Sequence, residues 1–337
     1  MGLKGGVRRV RLRLKRRSLQ IRALVKGAGL RPLADRTAAM PDGPILFSTV
    51  RNERPRLSWF LRHYRELGIV HFLFVDNGST DGTVEMLRSS PDVSVWEARG
   101  SYKGSRYGVD WLNHLLARYG PGRWIVVADP DELLVYPHHD TRKLPALCRW
   151  LEDQGRESFG VLLLDMYGRG SVATTRVGED TNPTDVACWF DANNYYVSRD
   201  PHYKNLWIQG GPRLRVFFAD RPFWSPALNK IPLVRWQKGF VYKGGAHDLL
   251  PRRLNVTYAR DGGSLTSGVL LHPKFLDVLV LKVEEELRRH EHYAASREYA
   301  SYAAQGLEVS LWTEQSTRYR DWLQLCELGL MARGGWF

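Results

Sequence analysis

The stretch RWIVVADPDELLVY, residues 123–136, decides how the chain is read. Trp124, Ile125, Val126 and Val127 make an apolar, β-rich run of the kind that fills a buried strand. That run passes directly into Asp129, Pro130, Asp131 and Glu132. Three carboxylates at the end of a buried element are costly unless a cation pairs with them. Asp129 and Asp131 flank a proline, which brings both carboxylates near one point at a strand end. Such a pair suits a hard divalent cation, Mg²⁺ or Mn²⁺. An ion there would also hold a diphosphate and neutralise its charge as it leaves. The competing reading is a turn whose acids are simply solvated. On the metal reading the carboxylates repel one another, so Asp131→Asn is expected to leave the stability of the free protein the same or raised.

Upstream, strand and helix patterns alternate. PILFSTV is a strand followed by the polar loop RNERP, and RLSWFLRHYRELG has helical apolar spacing stopped by Gly68. VHFLFV is a strand ending on Asp76, NGSTDGT is a turn cluster, and DGTVEMLRSS opens a helix. VSVW is a further strand, and RYGVDWLNHLLARYG a further helix, before residues 123–136. This rhythm predicts an α/β fold with a mostly parallel central sheet and helices on both faces. Ligands of such sheets bind beyond the carboxyl ends of the strands. The polar clusters Arg51–Glu53, Asp76–Asn77 and Asp129–Glu132 all fall at those ends. Asp76 either accepts hydrogen bonds from a ribose or base, or caps a helix. Asp81 is better placed to cap, which leaves Asp76 for a ligand. Arg51 pairs either with phosphate or with Glu53.

Of the 49 Lys and Arg residues, 12 lie in residues 1–40 beside one acid, Asp35; the remaining 37 basic and 35 acidic residues nearly cancel. The pI of 9.7 therefore belongs to an arm and not to a basic globule, so nucleic acid is not the expected partner. In the arm, Val7, Val10, Leu14, Ile21, Leu24 and Val25 recur at roughly helical spacing among Arg and Lys, with Leu12 and Leu19 off the stripe. A basic amphipathic helix suits an anionic membrane surface; the alternatives are a solvated basic tail or another acidic partner. Residues 27–44 read as a linker. Cys148, Cys188 and Cys326 match no zinc spacing and read as free thiols in a reducing compartment. With no spanning-length apolar run and no signal-like apolar region, the expected location is cytoplasmic, or peripheral on the inner membrane face through residues 1–36.

TVRNERPRLSWFLRHYRELGIVHFLFVDNGSTDGT, then ADPDELL, then GVLLHPKFL resembles the bacterial family 2-like glycosyltransferases of the GT-A fold, over roughly residues 44–302. The resemblance implies a nucleotide-diphosphate sugar donor, a glycan or lipid-linked acceptor, and Mn²⁺ or Mg²⁺. It places Arg51, Glu53, Asp76 and Asn77 on the nucleotide, and Asp129 and Asp131 on the metal and donor diphosphate. A late histidine that often completes the metal shell matches His272, with His247 second. Lys103 and Arg106 are assigned to the donor from charge and position. An inverting transferase needs a base for the acceptor hydroxyl, and Asp165, Asp191, Asp248 and His247 are the candidates. Each also has an ordinary structural reading. The implied organisation is a basic arm and linker (1–43), a GT-A domain (44–273) and C-terminal helices packed on it (274–337), with residues 310–328 read as a helix. Two other functions fit the motif less well. A haloacid-dehalogenase-like phosphohydrolase would place the pair near the N-terminus with a Thr soon after, and an inactive nucleotide-sugar-binding protein would have lost a metal carboxylate.

Overall fold

Apolar runs separated by polar turns fold here as alternating strands and helices. The computed structural model describes residues 3–178, 180–259, 264–289 and 293–336. In chain order it holds α1 (Leu3–Gly27), β1 (Leu30–Ala34), β2 (Ile45–Val50), α2 (Arg54–Leu67), β3 (His71–Asp76), α3 (Thr83–Ser89), β4 (Val93–Ala98), α4 (Val109–Tyr119), β5 (Trp124–Val127), β6 (Leu133–Val135) and α5 (Leu144–Asp153). There follow β7 (Ser158–Tyr167), α6 (Pro183–Val186), β8 (Trp189–Phe190), β9 (Tyr195–Asp200), β10 (Asn205–Gly210), β11 (Asn229–Arg235), β12 (Val241–Gly244), β13 (Asp248–Leu250) and β14 (Gly268–Phe275). The chain closes with α7 (Val278–Arg289), α8 (Tyr293–Gln305), β15 (Thr317–Arg318) and α9 (Trp322–Glu327). α2 stops where Gly68 adopts φ +99°, a conformation that a Cβ resists.

The central sheet runs β1-β4-β3-β2-β5-β11-β7-β14-β6. β4, β3, β2 and β5 are mutually parallel, as are β7 and β14; β1, β11 and β6 run antiparallel to their neighbours. Most strands thus point one way, as expected of this α/β class. The side-chain period of two sends alternate residues to opposite faces. Leu46, Phe72, Phe74 and Val126 pack with Leu57, Phe60 and Leu61 of α2 and Leu147 of α5. Ile45, Phe47, Leu73 and Ile125 pack with Trp111, Leu112 and Leu115 of α4. Helices therefore cover both faces of the sheet.

Two segments depart from the sequence reading. Residues 30–34, placed in a linker, form β1, which pairs with β4 from Leu30 opposite Ala98. As a half-exposed edge strand carrying Pro32, it lacks the alternation that marks a strand. Residues 310–328 are helical only over α9, while Thr317 and Arg318 pair with Phe190 and Trp189. The hydroxyls of Ser310 and Ser316 accept from the amides of Trp312 and Thr313, at 3.3 and 2.9 Å, in place of helical bonds. β14 also runs to Phe275, across the boundary placed after residue 273.

The arm is a helix seated on the globule. Leu19 and Ala23 are buried, Leu19 packs with Val241 and Leu250, and Arg22 pairs with Asp110 of α4 at 3.1 Å. At Gly27 a Cβ would lie 2.0 Å from the His114 ring, so only glycine permits this approach to α4. The residue judged off the apolar stripe, Leu19, is thus the docking residue. Leu12, half-buried, joins the same cluster. Leu19→Ala is expected to cost about 2–4 kcal/mol in equilibrium urea unfolding. An unchanged midpoint would show that α1 is not seated this way.

Candidate functional site

The loops after β2 and β3 are stitched together by side chains bonding to backbone. Asn52, at φ +52°, donates its amide to Ser79 Oγ (2.9 Å) and accepts from the Thr80 amide (2.8 Å). The Glu53 amide donates to Thr83 Oγ1 (3.0 Å), and Asp81 accepts from the amides of Arg54 (3.1 Å) and Thr83 (3.0 Å). Asp81 thus serves the starts of two helices. Asp76, assigned to the ligand from sequence, also serves its own turn. It is buried and accepts from the amides of Gly78 (2.9 Å) and Ser79 (3.1 Å) and from the Ser79 hydroxyl, so its carboxylate shapes the turn. Asn77 donates to the carbonyls of Ala98 (2.8 Å) and Gly100 (3.1 Å). A cavity of about 460 Å³ opens beside these strand ends, lined in part by Arg51, Asn77, Gly78, Glu97 and Arg289.

The Asp129–Glu132 turn meets β14 through strand register. Leu271 pairs with Leu133 on one side and with Leu164 on the other, which seats His272 beside the turn and opposite Asp165. His272 Nδ1 lies 2.6 Å from Asp165 Oδ1, and Nε2 lies 3.4 Å from Asp131 Oδ2. Asp165 fixes the ring and leaves Nε2 aimed at Asp131, the second-sphere arrangement found behind metal-binding histidines. Asp131, Glu132 and His272 bring one ligand atom each within 4.8 Å of one another. Two carboxylates and an imidazole form a donor set suited to Mn²⁺, so these residues fit such an ion. The expected trio is altered in one member. Asp129 is half-exposed and paired with Lys230 at 3.1 Å, and Glu132 stands in the cluster in its place.

The carboxylates already have cations of the chain's own. Lys230 also bonds Glu132. Burial disfavours the Lys230 ammonium, but Asp129 and Glu132 outweigh it and raise its pKa. Burial pushes Glu132 up to about 7, against the pull of Lys230 and with the push of Asp129. Asp131 is held well below the usual range: burial opposes this, while His272, Arg56 and Lys282 outweigh burial. His272 is raised, because Asp131 and Asp165 together overcome its burial.

From the strand-end cavity a ladder of ion pairs runs across the site. Arg51 pairs with Glu285 of α7 at 2.7 Å, and one turn away Lys282 pairs with Glu53. Arg56 then joins Glu53 (3.5 Å) to Asp131 (3.4 Å), and His272 joins Asp131 to Asp165. Arg213 closes on Asp165 through two bonds of 2.6 and 2.7 Å and reaches Glu298 at 3.2 Å. α7 and α8 are held there by Leu279, Val283, Tyr299 and Tyr302, which pack with Phe217 and Phe275. Arg51 therefore faces α7 and not Glu53. Arg56 is buried, and its Nε and second terminal nitrogen have no hydrogen-bond partner among the described residues. Buried guanidinium nitrogens of that kind call for anionic oxygens.

The base candidates are mostly committed. Asp165 is buried between His272 and Arg213, Asp191 accepts two bonds from Arg215 (2.9 and 3.0 Å) and one from Tyr167, and Asp248 pairs with Lys243 at 2.6 Å. His247 differs, because Nδ1 donates to the Asn229 carbonyl at 2.6 Å and leaves Nε2 as the lone-pair nitrogen. Burial, aided by Lys230, lowers it to about 4, so the ring is neutral. Arg106, assigned to the donor from sequence, is engaged within the chain. Its guanidinium holds Asp110 and the Lys243 carbonyl (2.7 Å), which ties α4 to β12. Lys103 lies in a single helical turn just before it. Arg56, Lys230, Lys282 and Arg213 were not singled out from sequence, although Arg56 is in phase with the buried stripe Leu57, Phe60, Leu61 and Tyr64 of α2.

By sequence the chain matches no protein-family profile and no curated protein. By fold it is similar to a mannosyltransferase from Pyrobaculum calidifontis in complex with GDP-Man and Mn²⁺, at 20% identity over 45% of this chain and 46% of that one, with a TM-score of 0.27. It is similar to a 4-diphosphocytidyl-2C-methyl-D-erythritol synthase at 16% identity over 41% and 66%, TM-score 0.25, and to a UDP-glucose pyrophosphorylase from Acinetobacter baumanii at 12% over 79% and 99%, TM-score 0.27. The chain thus spans less than two thirds of the first two. Likeness at this level assigns no function, which has to come from the residues.

Proposed function

We propose that the protein is a GT-A type glycosyltransferase that moves a sugar from a nucleotide-diphosphate donor to a glycan or lipid-linked acceptor. The observation that carries this reading is the meeting of Asp131, Glu132 and His272 at a strand end, beside a buried arginine with two nitrogens that have no partner among the described residues. The cavity beside Arg51 and Asn77 suits a nucleoside, placed beyond the strand ends as in other α/β sheets. Arg56 and Lys282 supply positive charge between that cavity and the carboxylates, where a diphosphate would lie. Asp131, Glu132 and His272 would hold Mn²⁺ or Mg²⁺, which when bound offsets the charge of the departing diphosphate. Asp165 keeps the His272 ring oriented. His247 Nε2 is the candidate that retains a free lone pair to accept the acceptor's proton.

A thermal-shift panel of nucleoside diphosphates and their sugars, with and without Mn²⁺, tests this. A ligand at a hundredfold excess over its Kd adds about 2.7 kcal/mol to the native state. One base is expected to raise the midpoint, more strongly with Mn²⁺ present. If none raises it under either condition, the transferase reading fails.

A further inference from the structure

Seating α1 on the globule turns a second face outward. Val10, Leu14, Ile21, Leu24 and Val25 are each more than half exposed. At about 100° per residue, Val10, Leu14 and Ile21 fall within about 40° of one another and roughly opposite Leu19. The exposed Arg11, Arg13 and Arg17 flank or lie within this stripe, while Arg22 turns inward to Asp110. The side chain of Val7 lies outside the described ones. A solvated tail would have no reason to set five large apolar side chains on the face pointing away from the protein. A polyanion such as RNA would reward the arginines but leave the leucines in water. An anionic bilayer rewards both, because the stripe enters the acyl boundary while the arginines meet headgroup phosphates. The apolar content is modest and, among the described residues, no helix is long and apolar enough to cross a membrane. This favours a helix lying in the interface.

We propose that the outward face of α1 docks the protein on an anionic lipid surface, with the helix parallel to the membrane and the globule on its cytosol-like, aqueous side. This does not depend on the transferase reading, since vesicle binding is measured without donor or acceptor. The test uses the full chain and vesicles of phosphatidylcholine alone or mixed with phosphatidylglycerol. Wild type is expected to co-sediment with the anionic vesicles only, and less so as salt rises. Leu14→Glu with Leu24→Glu alters exposed positions, so the thermal midpoint should hold while vesicle partitioning falls roughly tenfold or more. Arg13→Gln with Arg17→Gln should weaken partitioning by roughly fivefold per charge. Equal partitioning of the Leu14→Glu, Leu24→Glu protein overturns the proposal, because the stripe would then not be inserted. So does failure to bind anionic vesicles at low salt while a structured RNA is bound.

Discussion

Asp131→Asn is expected to weaken Mn²⁺-dependent binding of a nucleoside diphosphate by at least about a hundredfold. Loss of outer partners alone costs ten- to hundredfold at metal sites, and here an anionic ligand is lost. The same change should lower stability by about 1–3 kcal/mol, against the sequence expectation of relieved repulsion. The structure reverses that sign because Asp131 sits between two partners that gain from its charge, Arg56 and His272, each at 3.4 Å. Removing the charge leaves the buried Arg56 with Glu53, at 3.5 Å, as its one acidic partner among the described residues. A pH arm separates the two effects. His272 is raised above its usual range by Asp131 and Asp165 despite burial. Its stabilising charge is thus complete below about pH 6.5 and is lost as pH rises through its folded pKa. Metal binding needs the neutral ring, so affinity for Mn²⁺ with nucleotide should fall as pH falls, while the stability of the free protein moves the other way. Titration calorimetry and urea unfolding across pH measure the two. Wild-type nucleotide affinity in Asp131→Asn would reduce the carboxylates to a structural turn.

What could be read from the sequence follows from range. β2 to β5 announce themselves because each is a short apolar run buried on both faces, and α2 and α4 because one stripe is buried. Convergence of Asp131 and His272 was readable only as a resemblance, since it depends on the register of β14 between β6 and β7. The cations that answer the carboxylates come from far along the chain: Lys230 is 101 residues from Asp129, and Arg56 is 75 from Asp131. No local period points across such distances. The turn role of Asp76 was missed for a different reason. Its partners lie two and three residues away, and an aspartate before Gly-Ser satisfies its own turn as readily as it meets a ligand. In α1 the apolar stripe was legible, but the face that docks on the globule was not. Periodicity locates an apolar stripe but cannot say which of two faces a neighbour will cover, and here the narrower face of Leu19 and Ala23 is covered.

Arg213→Met is expected to cost about 3–5 kcal/mol at neutral pH, the range for removing one partner of a buried ion pair. Methionine keeps much of the volume, so the loss is electrostatic and not a cavity. Arg213 makes two bonds to Asp165, and both side chains are almost wholly buried. Without it, Asp165 would keep His272 as its charged neighbour, and the second oxygen would have no donor. The pair also carries Glu298, at 3.2 Å, so the seat of α8 loosens with it. Burial works against the Asp165 carboxylate, but Arg213 and His272 hold its pKa below the usual range. That stabilisation is therefore present above about pH 4 and lost as pH falls through the folded pKa. The penalty of Arg213→Met should accordingly shrink toward acid, as protonated Asp165 no longer needs the guanidinium. Arg213→Met combined with Asp165→Asn should recover part of the loss at neutral pH, since no unpaired buried charge remains. Urea unfolding of the single and double variants at neutral and acid pH decides this. A penalty independent of pH, with no recovery in the double variant, would mean that Arg213 acts through packing and that the Asp165–His272 alignment does not depend on its charge.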